Sequence, residues 1–201
     1  MSPSLSRILL HIIFSTKNRY AFLIDAEVQK RMHAYLARVF NEHDSPAIEV
    51  GGTEDHVHIL CLLSRNHAIS EIIRKAKANS SSWAKTLGGR CVKFSWQSGY
   101  GVFSIHQSQI VPTKRYIQGQ AEHHRRKSFQ EEYLEILHEY QIPYDERYLW
   151  EKADKSLRRP VRASWDCIID PRVSPWALLF RPLRGFRVVA LHTIHASDIF
   201  A

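Results

Sequence analysis

The chain has 201 residues, 44% hydrophobic and 24% charged, with twelve histidines, a formal net charge of +8 and a pI near 9.5. That is enough chain for one sizeable core with an appendage, and the basic balance favours a polyanion, nucleic acid being the commonest. Three cysteines without a CxxC pair (Cys61, Cys91, Cys167) argue against a disulfide framework or a thiolate zinc site, and no apolar run approaches the ~20 residues of a membrane span, so the expected home is reducing cytoplasm with no membrane partner.

Residues 6–19 open with a strand. An amphipathic helix follows from Asp25, its expected N-cap, with Val28, Met32, Leu36 and Val39 at helical spacing. "AIEVGG" is a second strand, and the turn at 51–55 leads into a third, "TEDHVHILCLL", as a hairpin. A second helix is expected over 70–89, capped by Ser70 and stopped by Gly88 and Gly89. The aromatic, glycine-broken stretch 94–106 should end in a strand at 102–106. A polar helix is then entered through Pro112. A last amphipathic helix starts at Ser128, which forms a capping box with Glu131. The order β-α-β-β-α-β-α-α predicts an α+β fold, a ferredoxin-like antiparallel sheet with helices packed on one face. Residues 1–151 form this domain. Residues 152–201 have no sustained period, scatter prolines and arginines, and read as a weakly ordered basic tail.

The third strand carries the chemistry. Side chains alternate along a strand, so His56 and His58 share one face with Cα atoms ~6.6 Å apart, while Val57 and Ile59 face the other. That spacing suits two imidazoles converging on one ion, and it equally suits two hydrogen-bonded histidines on a half-exposed strand. In the polar helix Tyr116 and Gln120 stand one turn apart, with His123 and His124 about a turn further on. The amide oxygen of Gln120 could complete a coordination set, with the Tyr116 phenol nearby. Taken alone, "YIQGQ" is also compatible with an ordinary helix bearing a surface tyrosine. Lys114, Arg115, Arg125 and Arg126 could hold a DNA backbone. Arg74 and Lys77 form a solvated helix face or a second DNA-facing one.

Together these residues carry a resemblance. The stretches "HIIFSTKNR", "DHVHIL", "IRKAKANSSSW", "WQSGYGVFS", "YIQGQAEHHR" and "SFQEEY…IPYDERYLWE" span roughly residues 7–151 in order. They resemble the single-tyrosine HUH transposases of small bacterial insertion sequences, a group that includes the REP-associated tyrosine transposases. The resemblance implies action on single-stranded DNA with hairpins at element ends. Tyr116 would be the nucleophile, forming a 5′-phosphotyrosine and freeing a 3′-OH. His56, His58 and Gln120 would be ligands to Mg²⁺ or Mn²⁺; independently of the resemblance, Asp55 stands beside His56 where it could orient it. The resemblance also implies a homodimer in which Tyr116 of one chain serves the other's site, although REP-associated relatives can act as monomers. Two other readings stand beside it. One is a domesticated relative that binds repeat hairpins without moving them. The other is an RNA-binding module stacking bases on Trp96, Tyr100 and Phe103, for which the RNP1 signature is lacking.

Overall fold

The computed structural model describes residues 5–145 and 149–150. The expected tail from residue 152 lies outside the described residues. Four strands form one antiparallel sheet: β1 (Ile8–Ser15), β2 (Ala47–Gly52), β3 (His56–Leu63) and β4 (Gly101–Ser104), in the spatial order β2-β3-β1-β4. The helices are α1 (Ala26–Asn41), α2 (Ile69–Thr86), α3 (Ile110–Gln118), α4 (Gln120–His123) and α5 (Phe129–Glu139). The α+β, ferredoxin-like class is the one the element order predicts.

Register decides which side chains meet. Ile12 pairs with Ile59 and Phe14 with Val57, and these side chains enter the main core. Met32, Leu36, Val39 and Phe40 of α1 and Ile72, Ile73 and Ala76 of α2 close over that face. One residue along, Ile13 pairs with His58, Ser15 with His56, and His11 with both Leu60 and Phe103, all on the opposite face. There α5 packs Phe129 and Leu137 against Ile13 and Phe103 in a smaller cluster. Both faces of β1 and β3 are therefore covered, by α1 and α2 on one side and α5 on the other, where the element order predicts helices on one face. This explains why the two strands read as near-continuous apolar runs and lack the simple alternation of a half-exposed strand. The histidines are the visible interruption.

Several boundaries differ from expectation for local reasons. Helix α2 begins at Ile69 with Ala68 in the N-cap position and no side-chain cap, so Ser70 sits in the first turn and does not cap it. Strand β4 runs Gly101–Ser104, earlier than 102–106: the Ile105 amide still donates to the Leu9 carbonyl at 3.1 Å, but His106 already caps the short 3₁₀ turn at Gln107–Gln109. Asp25 accepts from the Glu27 and Val28 amides, and Ser128 with Glu131 forms the capping box, both as predicted. The polar helix is not continuous. It breaks at Gly119, so Tyr116 ends near the close of α3 and Gln120 opens α4.

Candidate functional site

The site lies between the histidine face of the sheet and the layer α3–α5. Gly51 on β2 brings α3 close: a Cβ there would sit 2.7 Å from both Ile117 Cγ2 and the Ile117 carbonyl oxygen. Only a residue without a side chain lets the helix approach this near. Ile117 is buried, and its neighbour Tyr116 is thereby turned to the histidines, with its ring 5.8 Å from that of His58 and 6.2 Å from that of His11. On the other flank Phe129 stacks on His56 at 4.3 Å.

His56, His58 and Gln120 are brought together. Each is at most 1% exposed, and His56 Nε2 lies 3.3 Å from Gln120 Oε1. Tyr116 joins them through a residue the sequence reading did not single out. Its hydroxyl donates to Glu132 Oε1, which also accepts from Gln120 Nε2 at 2.9 Å. Glu132 is 2% exposed, projecting from α5. Its second oxygen, Oε2, stands 3.1 Å from His124 Nε2, 3.7 Å from His58 Nε2 and 4.0 Å from His56 Nε2. One carboxylate thus joins the tyrosine, the glutamine and the histidine cluster.

The outer nitrogens are fixed by partners behind the site. His56 Nδ1 is 2.7 Å from Asp55 Oδ1 and 2.9 Å from Thr53 Oγ1, so Asp55 sits where it can orient His56. His58 Nδ1 is 3.0 Å from His11 Nε2, and His124 Nδ1 is 2.8 Å from the Lys127 carbonyl oxygen. Each arrangement leaves Nε2 directed inward. His58 Nε2, His124 Nε2 and Glu132 Oε2 are buried and have no hydrogen-bond partner among the described residues. Buried polar atoms are ordinarily paired, and all three are metal-ligating atoms. The site therefore fits a cation on its own evidence.

Electrostatics agree. Burial lowers His11 to about 4, and burial with the neighbouring imidazoles holds His58 well below its ordinary value. His124 is lowered by burial and then by His56. Neutral imidazoles are the form that binds metal. Burial, with Glu135 and Asp55 adding to it, pushes Glu132 up to about 8. Burial is the largest single influence on Asp55 and raises it, but the hydrogen bond and charge of His56, the Thr53 hydroxyl and Arg19 together outweigh it and hold the carboxyl below the usual range.

The expected DNA-contacting residues do not form one group. Lys114 and Arg115 are exposed on α3, and Arg125 and Arg126 are exposed just past α4, on the site side of the sheet. Lys114 is 3.4 Å from Glu49, and Arg125 pairs with Glu122 at 2.9 Å. Arg126 lines a cleft of about 760 Å³ with His123, Lys127 and Glu131. Arg74 and Lys77 lie on α2, across the sheet. Lys77 has a structural use: its ammonium donates to the carbonyls of Gln97, Ser98 and Gly99 at 2.8, 3.3 and 2.6 Å.

Glu132, His124 and His11 belong to the buried polar cluster and have no assigned role in the sequence reading. His11 had a signal, since it interrupts an apolar strand as His56 and His58 do. Glu132 follows the capping-box Glu131 and has no local mark of its own. It matters because a helix far along the chain folds back over the sheet.

A family model described as "Transposase IS200 like" matches residues 4–120. Similar solved structures include a candidate transposase from Deinococcus radiodurans R1, 19% identical with a TM-score of 0.47, covering 60% of this chain and 95% of that one. Another is a REP-associated tyrosine transposase bound to a REP hairpin, 16% identical with a TM-score of 0.46, covering 62% of this chain and 74% of that one. No curated protein matches the chain. The family match places the chain among the transposases. More narrowly, the chain belongs to the IS200-like transposase family, whose model spans more than half of it. His124 and Glu132 lie beyond the matched segment. No helix among the described residues is long and apolar enough to cross a membrane.

Proposed function

We propose that the protein cuts and rejoins single-stranded DNA at hairpin-bearing element ends, with Tyr116 as the nucleophile. The observation that carries this reading is the convergence of the Tyr116 hydroxyl and the paired histidines on Glu132 within one chain. Family membership supplies the reaction class, and the exposed basic side chains on the site side of the sheet suit a phosphate backbone.

A phenol is a weak nucleophile at its ordinary pKa of about 10. Glu132, its carboxyl raised to about 8, accepts the proton along the existing hydrogen bond in its ionised fraction, which grows as pH rises toward that value. The phenol oxygen then bonds to phosphorus as the bond from phosphorus to the 3′ oxygen breaks. The leaving oxygen takes a proton and departs as a 3′-OH, and the 5′ phosphate stays on Tyr116. Rejoining reverses these roles: a 3′-OH attacks the phosphotyrosine and Tyr116 leaves with a proton. One phosphodiester is exchanged for another, so no nucleotide is consumed. His56, His58 and Gln120 would hold Mg²⁺ or Mn²⁺, which when bound neutralises charge on the scissile phosphate. Asp55 and His11 keep the two strand imidazoles turned inward.

The expected homodimer with Tyr116 acting in trans is compatible with this arrangement within one chain only if the elements exchange together. Glu132 constrains it, because a tyrosine exchanged between chains keeps its carboxylate partner only if α5 travels with α3. The reading is tested with labelled single-stranded DNA from the flanks of the protein's own gene. A covalent protein–DNA adduct should form with Mg²⁺ or Mn²⁺ and be lost in Tyr116→Phe. An undiminished adduct in that variant overturns the assignment.

A further inference from the structure

The family resemblance supplies three ligands, His56, His58 and Gln120. The geometry offers more. His56, His58, His124 and Glu132 each present one ligand atom, and these four atoms lie within 4.8 Å of one another. Three of the four residues carry a buried inward atom that makes no hydrogen bond among the described residues, His124 Nε2 and Glu132 Oε2 standing only in ion-pair contact at 3.1 Å. Each imidazole has its other nitrogen tied outward, to Asp55, His11 or the Lys127 carbonyl oxygen. Outer partners of this kind fix the tautomer and aim of a metal-binding histidine. The two oxygens of Glu132 have separate neighbours: Oε1 takes Tyr116 and Gln120, and Oε2 faces the imidazoles.

We propose that His124 and Glu132 are metal ligands in addition to Gln120, completing with His56 and His58 a three-imidazole, one-carboxylate core selective for a first-row transition ion over magnesium. Imidazole favours borderline ions such as Mn²⁺, Co²⁺ and Zn²⁺, whereas Mg²⁺ prefers oxygen ligands and retained water. Glu132 then does two things at once. It binds the ion through Oε2 and holds the nucleophile through Oε1, so the phenol and the ion are placed by a single rigid group.

The proposal rests on the strand-cutting reading for the identity of the site, but its test needs no DNA. Full-length protein is stripped of metal with a chelator, dialysed, and titrated with Mn²⁺, Mg²⁺ and Co²⁺. Mn²⁺ is followed by its electron paramagnetic resonance signal and Co²⁺ by its visible absorption. The wild type should bind one Mn²⁺ per chain, more than tenfold more tightly than Mg²⁺. His124→Ala and Glu132→Gln should each weaken Mn²⁺ binding by about tenfold or more and shift the Co²⁺ absorption bands. Lost packing alone would leave the band positions unchanged. Far-UV circular dichroism of each metal-free variant checks the fold, and His124→Gln replaces His124→Ala if the latter fails to fold. Wild-type affinity and spectrum in either the His124 or the Glu132 variant overturns the four-ligand site, as does equal affinity for Mg²⁺ and Mn²⁺. Normal metal binding without any DNA adduct would instead sink the strand-cutting reading and leave this site standing.

Discussion

The two faces of one sheet invite comparison, because the same strands build both. On one face Ile12, Phe14, Val57 and Ile59 meet α1 and α2 in a close-packed apolar core. On the other, one residue out of phase, His11, His58 and His56 meet Tyr116, Gln120, His124 and Glu132. The first face holds the fold together by removing apolar surface from water, while the second buries polar atoms that make no hydrogen bond among the described residues. Burying such atoms costs stability, and proteins keep them where a ligand or a reaction uses them. A period-2 strand can therefore separate stability from chemistry by residue parity alone.

The largest effect should come from the polar face. His58→Ala is expected to abolish adduct formation, by a factor of roughly 10³ or more, while the far-UV circular dichroism signal stays as in the wild type. Strong cleavage by this variant in Mn²⁺ would mean that the polar face is not the reaction centre. Its neighbour in register on the other side gives the reverse outcome. Ile59→Ala should cost about 2–5 kcal/mol in urea unfolding, because the side chain is fully buried and leaves a cavity. Adduct yield per folded molecule should hardly change.

The pH dependence of stability sharpens the contrast further. His11 and His33 are held near 4 against an ordinary 6.5, in both cases chiefly by burial. The unfolded chain binds protons at these groups that the folded chain does not, so stability should rise from about pH 4 to about 6.5. Glu132 acts in the opposite direction. Held near 8 against an ordinary 4.5, it keeps a proton in the folded chain that the unfolded chain loses, so its contribution falls from about pH 4.5 to about 8. His11 and His33, with His58 and His124 shifted in the same direction, outweigh one carboxyl below pH 6.5, and above it the carboxyl acts without them. Metal-free protein should be most stable near neutrality. Glu132→Gln should remove the decline on the alkaline side, as urea midpoints across pH 5 to 8.5 would reveal. An unchanged alkaline decline in that variant would mean Glu132 is not its source.

The smallest expected effect separates the two groups of basic residues. Arg126→Ala, on the site side, should weaken single-stranded DNA binding by a few-fold and reduce the salt slope by about one. Lys77→Ala, across the sheet, should leave affinity unchanged and destabilise the 97–99 loop its ammonium holds. Equal losses of affinity in both would argue for a DNA path around the sheet edge.

The apolar face was legible in the sequence because its signals are local. Val28, Met32, Leu36 and Val39 recur at helical spacing, Asp25 and Ser128 cap as they should, and the hairpin at 47–63 follows from its turn residues. Half of the candidate site was legible for the same reason, since His56 with His58 and Tyr116 with Gln120 are short-range pairs. The other half depends on separation along the chain. Glu132 reaches His56 and His58 only after the chain breaks at Gly119, turns through 124–128 and lays α5 over the sheet. His11 meets His58 across a strand pair, 47 residues away. No spacing rule links such positions. Only the register and the close approach of α3 at Gly51 bring them together.

The central claim is that the polar face carries a tyrosine nucleophile, and mapping the covalent product tests it most directly. Full-length protein is incubated with single-stranded DNA from the flanks of its gene and Mn²⁺, digested with nuclease and trypsin, and examined by mass spectrometry. The account predicts a single modified peptide, with Tyr116 joined through its phenol oxygen to a 5′ phosphate, and a free 3′-OH on the released strand. A nucleotide attached to another residue, or cleavage that leaves no covalent intermediate, would contradict it.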